Sequence, residues 1–348
     1  MSKLTKVALG TLLAWIAVAA LHARLNLGLD PAALFNRSNQ AQGTAQFRVG
    51  FLPVTCHLTC PVTDWINRNS RGKGFYEPVR FSGFPEIKES LISGYLPATF
   101  MLAPMAMALR QQGVPIKIVY LGHRDGTAMM VRKDSQIYSV RDLRGKRVAI
   151  PNRFSNQHLL FRKALRQVGM SIEDVEMVEM PPPDMPAALY SKAVDAISSG
   201  EPFMAQTELD GYGRVLYQAK DVWPDFISCV LVVSQKTIDE NPEWVQELVT
   251  GIARSGLWMQ EGMDHRMAAA DAVATQYYNQ DPRLLRFVLS KPPDRVHYDK
   301  LSLARADFAE IEALAREAGI LDGSITFEDY ADVRFSEQAH GAKPWEKP

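Results

Sequence analysis

Short apolar stretches of strand length alternate with helix-forming stretches along most of this sequence. The apolar stretches lie at residues 47–54, 99–102, 117–121, 128–131, 147–150, 176–180 and 227–233. Helix-forming stretches separate them, including residues 86–93, 105–111, 157–168 and 185–191. Regular alternation of this kind predicts parallel sheets flanked by helices, so the predicted fold class is α/β.

The chain has 348 residues, which is enough for two domains with sizeable cores. We predict two βα units, with the chain crossing between them near residues 131–133 and again near residues 232–234. The first lobe is then discontinuous, comprising residues 47–132 and 234–335, and residues 133–233 form the second lobe. Two such lobes close around a ligand by a hinge. Residues 336–348 are predicted to be a loose tail.

The N-terminus has the pattern of an export signal. Lys3 and Lys6 precede an uncharged, mainly apolar run at residues 7–21, with small residues at 17–19. We interpret residues 1–24 as a signal peptide or an uncleaved N-terminal anchor, and residues 25–46 as a spacer. The protein is therefore expected in the periplasm, either free or tethered to the inner membrane.

Composition and motifs exclude several functional classes. Lys+Arg and Asp+Glu are equal at 39 each, so no net charge favours nucleic acid as a partner. The sequence has no HExxH, P-loop, GxGxxG or Ser-His-Asp pattern. We therefore expect no enzymatic activity, no catalytic residues and no cofactor.

Three loops are the candidate ligand site, because each follows a predicted strand at the edge where α/β sheets bind ligands. They are residues 55–62, 155–158 and 200–203. Ser155, Asn156 and His158 begin a predicted helix, where they either hold an anion or simply cap the helix. Glu201 is expected to accept hydrogen bonds from the ligand or from the opposite lobe, and a helix-capping role is its alternative.

The first loop contains Cys56, His57 and Cys60, which have three alternative roles. The two cysteines form a local disulfide or thiol pair, or they line the pocket without bonding, or they bind a soft metal. The spacing alone is weak evidence for a metal site, so we assign no metal ligands. The third cysteine, Cys229, lies in an apolar run and is expected to be a small buried hydrophobe.

Four segments resemble one protein family. They are residues 143–150 (LRGKRVAI), the proline-rich run 181–189 (PPPDMPAAL), residues 195–203 with their Gly-Glu-Pro-Phe sequence, and residues 93–104. Together these segments resemble the nitrate/sulfonate/taurine group of periplasmic binding proteins (the SsuA/THI5-like family). The resemblance covers approximately residues 47–335. The pair of cysteines in the first loop departs from the pattern of the nitrate binders.

This resemblance implies a two-lobed periplasmic-binding-protein fold (type II), in which each lobe is a sheet flanked by helices and the ligand cleft lies between the lobes. It implies a receptor that delivers a small molecule (an oxyanion, a sulfonate or a pyrimidine-like compound) to an ABC permease and ATPase by hinge closure. It also implies that Pro104 lies in a ligand-contacting loop. Two alternatives are an enzyme like the thiamine-pyrimidine synthases, which the export signal argues against, and a membrane-anchored ligand sensor.

Overall fold

The computed structural model describes residues 47–346, together with Thr5. Apart from Thr5, the predicted signal peptide or anchor (residues 1–24) lies outside the described residues, as do the spacer at residues 25–46 and the last two positions of the predicted tail, residues 347–348. Residues from Phe47 onward form one compact unit. Within the described part of the chain, no helix combines the length and apolarity that a membrane span requires.

The strands and helices follow each other in the predicted alternation. The strands are β1 Phe47–Phe51, β2 Tyr76–Arg80, β3 Ala98–Leu102, β4 Ile116–Leu121, β5 Arg124–Asp125, β6 Thr127–Arg132, β7 Arg147–Ile150, β8 Glu176–Glu179, β9 Ala196–Gly200, β10 Gly213–Gln218, β11 Cys229–Ser234 and β12 Val296–His297. The α-helices are α1 Thr59–Arg71, α2 Phe84–Ile92, α3 Ala103–Gln111, α4 Asn156–Gln167, α5 Met185–Tyr190, α6 Phe203–Leu209, α7 Ala219–Val222, α8 Gln235–Glu240, α9 Pro242–Glu261, α10 Met263–Val273, α11 Pro282–Ser290, α12 Arg305–Glu317, α13 Phe327–Tyr330 and α14 Arg334–Ala339.

Each lobe is built on a five-stranded sheet. The first sheet has the order β2-β1-β3-β11-β4, and the second has the order β10-β6-β9-β7-β8. In the first sheet β11 is antiparallel to its neighbours, and in the second sheet β6 is antiparallel to its neighbours. The remaining pairs, β1 with β2 and β3 and β7 with β8 and β9, are parallel as predicted. The sheets are therefore mixed, because the strand that enters from the other lobe starts at the cleft and runs away from it.

The lobe boundaries differ from the predicted ones. The first crossing lies between β4 and β6, at residues 122–126, and the second lies between α7 and β11, at residues 223–228. Strand β6 therefore belongs to the second lobe and β11 to the first, whereas the sequence prediction had them the other way round. Both strands are continuous apolar runs that are buried on two faces, and such runs fit either sheet equally well.

The C-terminal segment is packed rather than loose. Helix α14 covers part of the predicted tail, and Trp345 beyond it is only 9% exposed. The indole N–H of Trp345 donates to Ser255 at 3.1 Å, and the guanidinium of Arg254 lies 3.7 Å from the indole ring centre. The prediction of a loose tail was wrong because these long-range contacts leave no local sequence signal.

Candidate functional site

The two sheets present the carboxyl ends of their parallel strands to a shared cleft. Its walls come from the segments after β1, β2, β7 and β8, from the ends of β3 and β9, and from the second crossing with the start of β11. The residues that line it are Val54, Cys56, Phe84, Leu102, Pro151, Gln157, Pro182, Ser199, Gly200, Ser228 and Cys229. The lobes are closed against each other, and the cavity that remains is about 10 Å³, which is room for about one water molecule.

Thr55 joins the two lobes at this cleft. Its backbone N–H donates to the Glu201 carbonyl at 2.7 Å, and its hydroxyl donates to the same carbonyl at 3.2 Å. The side-chain amide of Asn156 donates to the carbonyl of Ile227, in the second crossing. These bonds hold the first loop and the start of α4 against residues of the other lobe and the crossing.

The Glu201 carboxylate forms a buried ion pair across the lobes. One oxygen accepts from the Arg295 guanidinium at 2.7 Å, and the other accepts from the backbone N–H of Ala205 at 2.7 Å. Arg295 also reaches Glu208 at 3.0 Å. The Glu201 and Arg295 side chains are 0% and 2% exposed. The opposite-lobe contact and the capping role are therefore both present, and both oxygens of Glu201 are occupied by protein donors.

Arg295 belongs structurally to the first lobe. Its segment is held by Arg266 of α10, whose guanidinium donates to the carbonyls of Leu289 at 3.2 Å and Pro293 at 2.7 Å. The Arg295 carbonyl accepts from the N–H of Gly126 in the first crossing at 2.8 Å. The ion pair with Glu201 consequently ties the first lobe to the second beside the first crossing.

The start of α4 has a helix cap and two buried side-chain atoms that accept no hydrogen bond from the described residues. The Ser155 hydroxyl accepts from the N–H of His158 at 3.1 Å, which is the predicted capping alternative. The Nδ1–H of His158 donates to the Arg153 carbonyl at 2.6 Å, so its Nε2 is an acceptor. Burial lowers the pKa of His158 and keeps it neutral. Neither His158 Nε2 nor Asn156 Oδ1 has a hydrogen-bond partner among the described residues.

The hydrogen-bond partners of two other buried histidines, His57 and His123, define which ring nitrogen carries the proton. His57 Nδ1 accepts from the backbone N–H of Leu52 at 2.7 Å, which puts the ring proton on Nε2. His123 Nε2 lies 2.9 Å from the Thr55 hydroxyl, and that hydroxyl already donates to Glu201, so the His123 ring donates from Nε2. Burial lowers the pKa of His123 to about 4. His123 is therefore neutral at neutral pH.

The cysteines are arranged differently from the predicted local pair. Cys56, Cys60 and Cys229 are all buried free thiols. The Cys56 sulfur lies 2.8 Å from the sulfur of Cys229 rather than pairing with Cys60. Cys60 lies on α1 beneath the first loop, and its carbonyl accepts from the Tyr76 hydroxyl at 2.5 Å. A long-range partner of this kind cannot be read from the spacing of two neighbouring cysteines.

Sequence reasoning selected part of the cleft lining and missed part of it. Cys56 lines the cleft, whereas Pro104 is the second residue of α3 and lies outside the lining. Phe84, which sequence reasoning did not select, forms part of the wall and meets the His57 ring edge-on at 6.1 Å. Sequence reasoning did not select Ser199 or Ser228. Ser199 directly precedes the Gly-Glu-Pro-Phe segment and could have been selected from its position.

Apart from the two thiols, none of the residues that line the cleft has an ionisable side chain. Its polar groups are the Gln157 amide, the hydroxyls of Ser199 and Ser228, and the two thiols. The Gln157 amide donates to the Thr127 hydroxyl at 3.1 Å. Its Oε1 and the hydroxyl of Ser228 have no hydrogen-bond partner in the part of the chain that the structure describes. The lining therefore offers a few unpaired hydrogen-bonding groups between apolar walls.

A larger cavity, of about 540 Å³, lies elsewhere, beside α9. It is lined by Gln246, Arg254 and Trp345 among others and does not adjoin the carboxyl edge of either sheet. Since ligands of open α/β sheets bind at that edge, the interlobe cleft is the candidate site.

This architecture defines a class, the two-lobed α/β binding proteins with a ligand cleft between the lobes. Residues 40–274 match the NMT1-like family, so the chain belongs to that family. Among solved structures, the ligand-binding component of an ABC-type import system from Staphylococcus aureus, with zinc bound, is 26% identical with a TM-score of 0.75, covering 84% of this chain and 98% of that one. The nitrate-binding protein NrtA of Synechocystis has the same fold, at 13% identity and a TM-score of 0.75, covering 84% and 88%.

The sequence relatives are binding proteins. The riboflavin-binding protein RibY of Chloroflexus aurantiacus is 32% identical over 146 residues, covering 42% of this chain and 41% of that protein. The taurine-binding periplasmic protein of Escherichia coli is 28% identical over 169 residues, covering 46% and 52%. The chain spans about a third of the length of the binding proteins of Brucella that it matches, 36% at 31% identity. The desulfurization enzyme DSZB shares the fold at 16% identity, with a TM-score of 0.59, covering 84% and 98%.

Proposed function

We propose that this chain is an extracytoplasmic solute-binding receptor that delivers a small molecule to an ABC importer by hinge closure. The observation that carries this proposal is the buried cleft between two lobes that are joined by two crossing segments. Membership of the NMT1-like family and the binding-protein relatives support the same function. A ligand larger than one water molecule requires the lobes to separate, because the closed cavity is about 10 Å³.

The ligand is, in this proposal, an uncharged and flat molecule such as a nitrogen heterocycle. Val54, Phe84 and Leu102 form an apolar wall on the first lobe, and Pro151 and Pro182 form one on the second. Such walls suit a ring that presents two apolar faces, with a few hydrogen bonds at its edge. An oxyanion or a sulfonate would instead favour a cationic partner, and the lining residues include none. The similarity to a riboflavin-binding protein agrees with this ligand class.

A thermal-shift screen tests the ligand class. The panel contains pyrimidines and flavins, aliphatic sulfonates and taurine, and nitrate. A true ligand at a hundredfold excess over Kd stabilises the fold by about 2.7 kcal/mol. We expect this stabilisation from a heterocycle. Stabilisation by a sulfonate or nitrate alone would overturn the ligand class while leaving the receptor function intact, whereas no response from any member would count against the receptor function.

Two matched glutamine variants locate the binding site. Gln157→Leu removes a polar group from the cleft, and Gln246→Leu makes the same change in the larger cavity beside α9. We expect Gln157→Leu to abolish or reduce the ligand-induced shift and Gln246→Leu to leave it unchanged. The opposite pattern would move the site to the larger cavity.

The proposed location depends on residues 1–24, which lie outside the described residues. The taurine-binding relative is named as periplasmic, which agrees with export. Fusing residues 1–46 to a reporter that is active only after export should give an active reporter. Replacing Lys3 and Lys6 with glutamate should impair export, because both lie in the basic start of the predicted signal. A reporter that stays in the cytoplasm would refute the proposed location.

A further inference from the structure

Two thiols from distant parts of the chain meet at the cleft. The sulfurs of Cys56 and Cys229 lie 2.8 Å apart although the residues are 173 positions apart in the sequence. Both are free thiols, with exposures of 2% and 1%. Both line the cleft, so separation of the lobes gives a small reagent a route to them.

The backbone brings these two cysteines together. Cys56 lies in the single helical turn Thr55–His57 after β1, and Cys229 begins β11 opposite Leu102, the last residue of β3. Gly122 packs against both segments, because its N–H donates to the Cys229 carbonyl at 2.8 Å. A Cβ atom at Gly122 would lie 2.3 Å from the Cys56 carbonyl oxygen and 3.1 Å from that of Cys229. A glycine at this position therefore permits the close approach.

The surroundings make the two thiols chemically unequal. Burial raises the pKa of the Cys56 thiol, but the hydrogen bond with Cys229 and the proximity of His57 outweigh it and bring that pKa well below its usual range. Burial and the proximity of Cys56 raise the pKa of Cys229. Burial also raises the pKa of Cys60, and the hydrogen bond with Tyr76 does not offset this increase. Cys56 is consequently the nucleophile of the pair, and Cys60 is unreactive.

We propose that Cys56 and Cys229 are a redox-modification site, in which an internal disulfide forms reversibly between the first ligand loop and the end of the second crossing. The Cys56 thiolate attacks one sulfur of a small disulfide such as oxidised glutathione and releases one glutathione thiolate, which takes the proton of Cys229. The Cys229 thiolate then attacks the Cys56 sulfur of the mixed disulfide and releases the second glutathione thiolate. Two electrons pass from the cysteine pair to the reagent, and a dithiol reductant reverses the sequence.

A metal site built on the same residues is the competing hypothesis. One ligand atom each from Cys56, His57 and Cys229 lie within 4.8 Å of one another. However, His57 Nδ1 accepts from Leu52, so the neutral ring carries its proton on Nε2, where the metal would have to bind. Metal binding would require that proton to leave, whereas disulfide formation leaves His57 unchanged. The geometry therefore favours the disulfide.

Thiol mapping of the full chain tests the proposal. The protein is incubated with oxidised glutathione, unfolded in the presence of iodoacetamide and digested with trypsin, with and without prior dithiothreitol. Cys56 and Cys60 share the tryptic peptide 49–68, so fragmentation of that peptide must locate each modification, and Cys229 lies in peptide 221–236. We expect the two peptides to be linked through Cys56 and Cys229, with Cys60 alkylated. Prior dithiothreitol should leave all three cysteines alkylated.

Two variants and a metal assay complete the test. Cys60→Ser should retain the linkage, and Cys229→Ser should stop at a glutathione adduct on Cys56. Alkylation of all three cysteines after oxidation would overturn the proposal, as would a linkage through Cys60. Retention of about one zinc per chain, with both thiols protected until a chelator is added, would establish the metal site instead. The chemistry does not depend on the ligand, so the proposal survives failure of the ligand screen.

Discussion

Replacing Glu201 with alanine should reduce the stability of the fold more than the loss of an ordinary surface charge. The change leaves the Arg295 guanidinium, which is 2% exposed, with the partly exposed Glu208 in place of its fully buried carboxylate, and leaves the Ala205 N–H without its acceptor. Removing one partner of a buried ion pair costs about 3–5 kcal/mol, because the remaining charge stays desolvated. With an unfolding entropy of roughly 2.1 cal/mol/K per residue over some 300 residues, the melting temperature should fall by about 5–8 °C.

Chemical and thermal unfolding measure this effect, with Asp271→Ala as the matched control. Asp271 pairs with Arg286 on the surface, where the side chains are 45% and 49% exposed, so its loss should cost less than about 1 kcal/mol. The double variant Glu201→Leu/Arg295→Met should recover much of the loss, because it removes both charges. A Glu201→Ala variant no less stable than the control would refute the burial of this pair in solution. A double variant as unstable as the single one would attribute the loss to packing instead.

Three further outcomes follow from single residues. Burial lowers the pKa of His123 to about 4, whereas the unfolded chain has an ordinary histidine pKa near 6.5 and therefore binds a proton first as the pH falls. The wild type should then lose about 3 kcal/mol of stability between pH 6.5 and pH 4. In a series of denaturation measurements across this range, His123→Gln should show a smaller dependence on pH. Gly122→Ala should lower the melting temperature measured by calorimetry, because the added methyl group meets the backbone of Cys56 and of Cys229. Gly262→Ala is the control and should have no such effect, because its methyl group would meet nothing within 4 Å. Equal effects of the two changes would contradict the close approach at Gly122. Trp345→Ala should cost about 3–5 kcal/mol in urea unfolding, far more than Met263→Ala at an exposed site, and a small loss would restore the idea of a loose tail.

The sequence predicted the features that depend on local pattern. The alternation of apolar strands and helices indicated two α/β units, and the Gly-Glu-Pro-Phe segment led to the cleft and to Glu201. The lobe boundaries were missed because β6 and β11 are uninterrupted apolar runs at residues 128–131 and 229–233, so their side-chain pattern does not say which sheet they join. Sequence position alone likewise left the capping role of Ser155 as one of two alternatives, and the backbone geometry at the start of α4 was needed to identify it.

Pairings across long stretches of chain could not be predicted. Glu201 and Arg295 are 94 positions apart, and Cys56 and Cys229 are 173 apart. Neither pair has a local periodicity or motif, and a single sequence offers every arginine and every cysteine as a partner. Burial turns such a distant contact into a strong constraint, because an unpaired charge inside the protein is costly. The buried Glu201–Arg295 ion pair is therefore a strong interaction that the spacing of residues in the sequence does not reveal.

Several polar residues selected as ligand contacts are instead committed to the contact between the lobes. Glu201 is bound by Arg295 and Ala205, and the Asn156 amide is bound by the Ile227 carbonyl. These bonds stabilise the closed arrangement, and a receptor that binds in its closed form has an apparent Kd equal to the intrinsic Kd divided by the closed fraction. Changing Glu201 should therefore weaken binding by shifting the protein towards open forms, without any contact between Glu201 and the ligand. The Oε1 of Gln157 and the hydroxyl of Ser228, by contrast, have no hydrogen-bond partner among the described residues, so we expect substitutions at these two positions to change ligand affinity directly.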